Sequence, residues 1–354
     1  MLIHVYDYST LGHVGICSEI IRVVLERQFY SMGKFEIECS VHDEYINTLN
    51  VGNIVCVSDF YGIILYRNHT ESSVTIKGYD LKYFCRARVV VPPFVYKTNP
   101  EAIDGYDRIK GNAETVIKHY ADTQLINPSD TKRKIPNLIC AENQNRGESI
   151  AWQAKFTKLD AEFESLCKYA KLGYDIRLDT SEKKFVFDVI SGVNRTASQS
   201  DNAPVVFCRE YKTVSDAEYT EDWLSAENSV YIGGNGEEES QFILTKSAET
   251  KAFLRIEGYT DISTNDTDEI DTGANAYLEE KKPTETVSGT ANSRYRYKTD
   301  WNMGDYVTSR IKAFGSTMSV DEQIIGVSEV YERASTSVTP VFSDNNIIKK
   351  LLKG

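Results

Sequence analysis

The stretch Gly33–Val41, GKFEIECSV, indicates a β-rich chain. Its apolar residues alternate with polar ones: Phe35, Ile37, Cys39 and Val41 against Glu36, Glu38 and Ser40. A period of two is typical of a strand with one buried and one exposed face, because successive side chains point to opposite sides. The preceding segment, EIIRVVLERQFY (19–30), fits an amphipathic helix or, through its β-branched residues, a strand paired with GKFEIECSV.

Strand patterns fill the first and the last third of the chain. In the first third they are NIVCVSD (53–59), GIILYRN (62–68) and SSVTIKGYD (72–80). In the last third they are VVFCREY (205–211), SVYIGG (229–234), QFILTKS (241–247), AFLRIEG (252–258), ETVSGTA (285–291), DYVTSRI (305–311), EQIIGVSEVYE (322–332) and SVTPVF (337–342). Short runs rich in Val, Ile, Thr and Tyr between turn residues predict strands.

The middle of the chain has an α+β pattern. Asn112 is a predicted N-cap for a helix with one apolar stripe, formed by Ala113, Val116, Ile117 and Tyr120. Thr157 and Asp160 resemble a capping box for a second helix, which we expect Gly173 to end in the C′ position. The apolar face of that helix is Leu159, Phe163, Leu166, Cys167 and Ala170. Two strands, YDIRLDT and KKFVFDV, follow around the turn Ser181-Glu182, and 191–204 is predicted to be a polar linker.

An acidic segment, DISTNDTDEID (261–271), precedes a predicted short helix that begins at Thr272 and is halted by Pro283. An EF-hand needs Gly at its sixth position and Glu at its twelfth, but these are Asp266 and Thr272. The segment is predicted to be a solvated loop, with an irregular cation site as the alternative.

A glycine-rich loop ends the strand in SVYIGGNGEEES (229–240). A dinucleotide fingerprint would need a third glycine where Glu239 stands, and a P-loop would need a Gly-Lys-Ser/Thr triplet. Three glutamates repel phosphate, and a strand rather than a helix follows them. We therefore predict a tight acidic turn in which glycine supplies positive φ.

Composition and motifs contain no nucleic-acid-binding or known catalytic signature, although the many carboxylates leave a glycosidase pair as an open alternative. The formal net charge is −12, from 52 acidic and 40 basic residues, whereas nucleic-acid binding needs clustered Lys and Arg. The seven cysteines are scattered without a C-x-x-C, which favours reduced thiols over disulfides or a metal site. His42 stands beside Asp43 and Glu44, yet no H-E-x-x-H or G-x-S-x-G motif occurs. No transmembrane run is present, and we predict no catalytic, cofactor-binding or metal residue.

Four stretches together resemble the tail-hub or tail-tip (tail-associated) proteins of siphophages, which are distantly similar to the baseplate hub of contractile phages. The first comprises IHVYDYSTLG (3–12), GKFEIEC (33–39) and NTLNVGNIVCVSD (47–59). The second, IKGYDLKYFCRARVVVPP (76–93), is the most family-like, and NSVYIGGNGEEES (228–240) is the third. The fourth is EIDTGANAYLEEKKPTETVSGTAN (269–292) with YKTDWNMGDYVTSR (297–310).

The resemblance implies a mainly β fold with an α+β insert. Each subunit would supply two related antiparallel β-barrel tube domains, and three subunits would form a pseudo-sixfold ring. The first tube domain is then 1–108, and the α+β insert is 109–203. The second tube domain is 204–258 with 284–345, split by the acidic loop and helix 259–283, and 346–354 is a C-terminal tail.

The resemblance also implies a structural function without a cofactor. The homotrimer would continue the tail tube in the distal tail of the virion, after synthesis in the bacterial cytoplasm. It would contact tail-tube and distal tail proteins above and tip, fibre or receptor-binding proteins below, and it would let DNA pass through an acidic lumen without sequence preference. The alternatives are a cell-wall-acting tail hydrolase or peptidase and a carbohydrate-binding tail protein.

Overall fold

A computed structural model describes residues 1–96, 105–236, 241–247, 252–262, 264–291, 294–333 and 335–342 of the chain. The fold is mainly β, as expected from the sequence, and its sheets are mixed. The C-terminal tail 346–354 and the glutamates of the glycine-rich loop, Glu237 to Glu239, lie outside the described residues.

The strands of the described residues are numbered in chain order. The first twelve are β1 (Ile3–Tyr6), β2 (His13–Cys17), β3 (Ile20–Gln28), β4 (Lys34–Ser40), β5 (Ile54–Val57), β6 (Phe60–His69), β7 (Ser73–Asp80), β8 (Asp107–Asn112), β9 (Leu138–Cys140), β10 (Ser149–Ala154), β11 (Gly173–Asp179) and β12 (Lys184–Ile190). The others are β13 (Val206–Cys208), β14 (Val214–Asp222), β15 (Ser229–Gly233), β16 (Ile243–Ser247), β17 (Glu257–Asp261), β18 (Thr284–Ala291), β19 (Tyr306–Ala313), β20 (Ser316–Gln323), β21 (Gly326–Glu332) and β22 (Thr336–Val341).

The α-helices of the same residues are α1 (Tyr83–Arg86), α2 (Ala113–Ala121), α3 (Leu159–Ala170) and α4 (Thr267–Lys281). A π-helical turn, Asp122–Ile126, continues α2. Short 3₁₀ turns include Ala252–Leu254, which lies in a stretch that we predicted to be a strand.

The chain divides into two compact units, each built from separate segments. The first unit contains residues 1–80, 191–221 and 285–354, and the second contains residues 81–190 and 222–284. Each unit has its own hydrophobic core.

The first unit is organised by a nine-stranded sheet in the order β2-β1-β5-β6-β7-β4-β3-β21-β22. Every neighbouring pair in this sheet is antiparallel. Phe35, Ile37 and Cys39 of β4 are buried, which confirms the alternation predicted for GKFEIECSV. The ambiguous segment before it is strand β3, which pairs with β4, so the strand interpretation of 19–30 is correct.

A second core in the first unit surrounds Trp301 and Phe207, whose ring centroids are 6.2 Å apart. The sheet beside it has the order β13-β19-β20, and β13 runs parallel to β19. The predicted linker 191–204 is irregular but fixed in place, since the Asp305 carboxylate accepts the Val193 N–H at 2.8 Å and pairs with Arg195 at 2.9 Å.

Helix α2 in the second unit matches its prediction. The Asn112 side chain accepts a hydrogen bond from the Thr115 N–H at 2.9 Å and so caps the helix. The predicted stripe is fully buried, namely Ala113, Val116, Ile117 and Tyr120. An apolar stripe at helical spacing was therefore sufficient to locate this element.

Helix α3 confirms the predicted apolar face but not its predicted ends. Leu159, Phe163, Leu166 and Cys167 are buried, whereas Ala170, the fifth predicted residue, is partly exposed. The N-cap is Lys158 without a side-chain hydrogen bond, because Thr157 Oγ1 donates instead to Glu162 Oε2 at 2.6 Å. The C-cap is Lys171 in the left-handed region, and Gly173 begins β11, so both capping predictions were wrong.

Helix α4 begins at Thr267, five residues before the predicted start. The Asp266 side chain caps it by accepting the N–H groups of Asp268 and Glu269. Acidic residues are favourable in a first turn because of the partial positive charge there. Much of the supposed acidic loop is therefore a helix N-terminus.

The glycine-rich loop lies between β15 and β16, which pair as an antiparallel hairpin. Gly236 has a φ of 119°, as predicted for a turn glycine, and the next described element is a strand. The three-stranded sheet β16-β15-β17 contains a parallel pair, β15 with β17, and packs against α4 through Val230 and Ile232.

Two features differ from the antiparallel barrels implied by the resemblance. In the described part of the chain no sheet closes on itself, and the nine-stranded sheet ends at β2 and β22. Parallel pairs occur at β9–β12, β13–β19 and β15–β17, because long connections return these strands in the same direction.

The compact units also divide the chain differently from the predicted domains, since β21 and β22 join the N-terminal sheet and 222–284 groups with the insert. The tube-domain boundaries stay a prediction.

Candidate functional site: the charged face of the nine-stranded sheet

The solvent-facing side of the nine-stranded sheet carries a row of charged residues, which we call the charged face. Pairing fixes its members, because side chains at paired positions lie on the same side of a sheet. Glu36 pairs with Val24 and Lys77, Lys34 with Glu26, and Glu38 with Arg22. Arg22 in turn pairs with Glu332 of β21. The opposite side of the same strands forms the buried core.

Each cation on the charged face is within salt-bridge distance of a carboxylate. Arg22 lies 3.6 Å from Glu36 and 3.2 Å from Glu332. Lys77 Nζ lies 2.6 Å from Glu36, and Lys34 Nζ lies 3.0 Å from Glu26. These ion pairs are partly exposed, so each contributes less than about 1 kcal/mol to stability. Their main consequence is electrostatic: Arg22, Lys34 and Lys77 are matched by nearby carboxylates.

The charged face contains a depression around these ion pairs. A depression of about 490 Å³ is lined by Arg22, Glu26, Lys34, Glu36 and Lys77, together with apolar residues of the same strands. Lys77 Nζ also lies 5.9 Å from the centroid of the half-exposed Tyr66 ring. The surface is therefore a depression with both polar and apolar lining, in which Arg22, Lys34 and Lys77 lie beside the carboxylates of Glu26 and Glu36.

A buried ion pair supports this sheet from the other side. Arg27 Nε lies 2.5 Å from Glu329 Oε1, and Arg27 also pairs with Asp59 at 2.7 Å. Asp59 also forms an ion pair with Lys298. Burial alone would raise the pKa of Asp59, but Arg27 and Lys298 hold it below its ordinary value.

The sequence identified only two members of the charged face. Glu36 and Glu38 were placed on an exposed face from their alternation alone. Arg22, Lys77 and Glu332 were missed, because they belong to other strands and only the register brings them opposite these glutamates. Opposite charges at polar positions of adjacent predicted strands are the available signal.

Asp43 and His42, which are adjacent in the sequence, both take part in hydrogen bonds that stabilise the local backbone. Asp43 accepts the backbone N–H groups of Ser18 and Glu19 at 2.7 and 2.8 Å. Burial alone would raise its pKa, but these and the Tyr45 N–H hold it below its ordinary value. His42 donates its backbone N–H to Ser40 Oγ at 3.2 Å.

The cysteines and the acidic segment are the candidates for disulfides and metal ligands. All seven cysteines are free thiols, as predicted, and six of them are buried. Among the residues that the structure describes, no group of three or more His, Cys, Asp or Glu side chains is arranged to hold a metal ion. The same part of the chain contains no helix that is long and apolar enough to span a membrane.

Comparison with known families identifies the chain. A family model described as siphovirus ReqiPepy6 Gp37-like protein matches residues 2–343. The chain belongs to this family. Membership confirms the resemblance to siphophage tail proteins, and it makes the chain a phage tail protein located in the virion tail. No curated protein matches the chain.

Solved structures of tail proteins share the fold. The gp18 tail protein of a Listeria monocytogenes EGD-e prophage is 15% identical with a TM-score of 0.56, and all of both chains is covered. The 43 kDa tail protein of prophage MuSo2 from Shewanella oneidensis is 11% identical with a TM-score of 0.54, over 97% of this chain and 98% of the other. A tail protein from Neisseria meningitidis MC58 is 12% identical with a TM-score of 0.50, over 98% and 97%. At these identities the likeness concerns the fold alone.

Proposed function

We propose that this Gp37-like protein is the structural hub of a siphophage tail tip. Three copies form a pseudo-sixfold ring that continues the tail tube and lets DNA pass. The observation that supports this proposal best is the nine-stranded sheet, which has one buried face and one concave, charged face. A large sheet with one buried and one charged side is suited to form part of a wall around a channel.

The charged face is assigned to the lumen in this proposal. DNA binds to surfaces where lysines and arginines are free to neutralise phosphates. On the charged face Arg22, Lys34 and Lys77 are already within reach of carboxylates, and Glu38 and Glu332 add negative charge. Three copies would carry three times the formal charge of −12. Such a wall repels the phosphate backbone and does not retain passing DNA.

The ring also accounts for the open sheets of the single chain. The nine-stranded sheet ends in two edges, and an unpaired edge exposes N–H and C=O groups. In the proposed trimer, neighbouring subunits cover these edges, so the tube wall closes only on assembly. The predicted tube domains 1–108 and 204–258 with 284–345 would each supply one sixth of the ring. Tail-tube and distal tail proteins would bind above it, and tip, fibre or receptor-binding proteins below.

The oligomeric state of the purified chain tests this proposal. We expect size-exclusion chromatography with light scattering to give a species of three times the 40.1 kDa chain mass. The measurement is repeated at high ionic strength, because an assembly held by sheet pairing and apolar contact persists when surface charges are screened. A monomer at every concentration, or a hydrolytic activity on cell walls, would overturn the proposal.

A further inference from the structure

A cleft between helices α3 and α4 in the second unit has the features of a ligand site. Its volume is about 720 Å³, within the range of roughly 300–1,000 Å³ typical of small-molecule sites. The facing surfaces of the two helices carry small side chains, Ala161 and Ser165 on α3 and Gly273 and Ala276 on α4. Ala161, Ser165 and Ala276 fill little of the space between the helices, whereas a Cβ at Gly273 would meet Ile262 Cδ1 at 2.3 Å.

The cleft has an aromatic wall. Tyr106, Trp152, Tyr169 and Tyr277 line it, and all four are partly exposed. The rings of Trp152 and Tyr169 are 6.4 Å apart and tilted by 36°. Rings exposed in this way offer flat apolar surface beside a polar edge.

Within this wall, Glu162 fixes the orientation of Trp152. Its Oε1 accepts the indole N–H of Trp152 at 2.6 Å, and its Oε2 accepts the Thr157 hydroxyl at 2.6 Å. Burial raises the pKa of Glu162 above its ordinary value, although both hydrogen bonds oppose the shift. A ring held in this way loses little entropy when a ligand packs on it.

The polar groups of the cleft are mostly acceptors. Six carboxylates and two lysines line it: Glu162, Glu164, Asp261, Glu269, Glu279 and Glu280, with Lys155 and Lys168. Five of the six carboxylates already have a hydrogen-bond or ion-pair partner, such as Glu164 with Lys168 at 2.7 Å and Glu269 with Arg108, so they accept from a ligand through their remaining lone pairs. The buried Oε1 of Gln153, another lining residue, has no hydrogen-bond partner. The site therefore offers acceptors to hydroxyl and amide donors and lacks a cationic surplus for an anion.

We propose that this cleft binds a short neutral oligosaccharide. The C–H face of a pyranose ring is apolar and packs flat on Tyr or Trp, while its hydroxyls donate to carboxylate and amide oxygens. The acidic lining disfavours phosphate-rich polymers, such as teichoic acids, and DNA. This inference does not rest on the proposed ring, since all the residues involved belong to the second unit of one chain.

Isothermal titration calorimetry of the full chain tests the proposal with chitotriose and maltotriose as neutral probes and a glycerol phosphate oligomer as the anionic probe. We expect at least one neutral trisaccharide to bind and the anionic probe not to bind. Tyr169→Ala should weaken the affinity about tenfold through loss of ring contact. Ala161→Trp, at an exposed helix position, should fill the cleft and abolish binding without removing any wall residue.

Tyr66→Ala is the matched control, because Tyr66 is half exposed and belongs to the first unit. It should leave the affinity unchanged, and circular dichroism should show all variants folded. The proposal is overturned if neither trisaccharide binds, if the anionic probe binds more tightly than both, or if folded Ala161→Trp retains full affinity.

Discussion

Arg27 and Glu329 are 302 residues apart in the sequence, yet the guanidinium Nε lies 2.5 Å from the carboxylate Oε1. The side chains are only 12% and 4% exposed. This ion pair links β3 of the N-terminal third of the chain to β21 of the C-terminal third, which are neighbouring strands in one sheet. Removing one partner leaves a buried charge uncompensated.

The first prediction concerns this ion pair. Arg27→Met should lower the free energy of unfolding by about 3 kcal/mol or more, because Glu329 and Asp59 lose their shared cation. Urea unfolding measures the effect. Arg22→Met is the matched control on the same strand, where the pair with Glu332 is 42% and 49% exposed, and it should change stability by less than about 1 kcal/mol. Equal losses for the two variants would refute the structural role of Arg27.

The second prediction concerns the start of α4. Asp266→Ala should cost about 1 kcal/mol of stability, because two helical N–H groups lose their acceptor. Lys158→Ala is the control, since Lys158 is the N-cap of α3 and its side chain makes no capping hydrogen bond. Millimolar calcium should leave the melting temperature of the wild-type chain unchanged. A clear calcium-dependent rise would restore the cation-site alternative for 261–271.

These two predictions show what the sequence could and could not supply. The periods of two and 3.6 located β4 and α2, because each element has one continuous apolar face. The start of α4 was missed because acidic residues favour both solvated loops and helix N-termini, and only the contacts of Asp266 decide between them. The Arg27–Glu329 pair was not predictable, because strand register over 302 residues is set by tertiary packing.

The cleft between α3 and α4 illustrates the same limit. The sequence placed Tyr169 within one helix and Tyr277 within another, but it gave no indication that these helices face each other. Small residues, Ala161 and Ser165 on one helix and Ala276 on the other, also line the cleft. Their meaning follows only from the contact between the two helices.

The third prediction concerns pH. Glu322 is buried and accepts the Val287 N–H at 3.0 Å, and burial raises its pKa from 4.5 to about 7. Between these two values the folded state binds the proton more tightly than the unfolded state, so stability falls as the pH rises through this window. The loss is roughly 3 kcal/mol. Glu322→Gln should remove this dependence and raise stability at pH 8, because the amide oxygen still accepts the Val287 N–H.

Urea unfolding at pH 5 and pH 8 measures the pH effect. Glu182→Gln is the control, because Glu182 lies in an exposed turn with its side chain 60% exposed. Its stability curve should follow that of the wild type. If Glu322→Gln retained the full wild-type pH dependence, the titrating group would have to be another one.

The fourth prediction concerns DNA passage. Glu36→Lys should create affinity for double-stranded DNA, because it adds a cation and also removes the carboxylate partner of Arg22 and Lys77. Binding should weaken steeply with salt, as expected for phosphate contacts. Fluorescence anisotropy with a labelled duplex measures it. Glu182→Lys makes the same charge change on an exposed turn outside the charged face and should bind DNA more weakly than Glu36→Lys; equal affinity would argue against a DNA-facing role of this surface.

The most direct test of the central claim is a cryo-electron-microscopy reconstruction of the assembled protein in a tail tip. The account predicts a threefold ring in which Arg22, Glu36 and Lys77 face an open channel on the tail axis. A ring of another symmetry, or a threefold ring that buries these residues against a neighbouring protein or turns them to the outside, would contradict it.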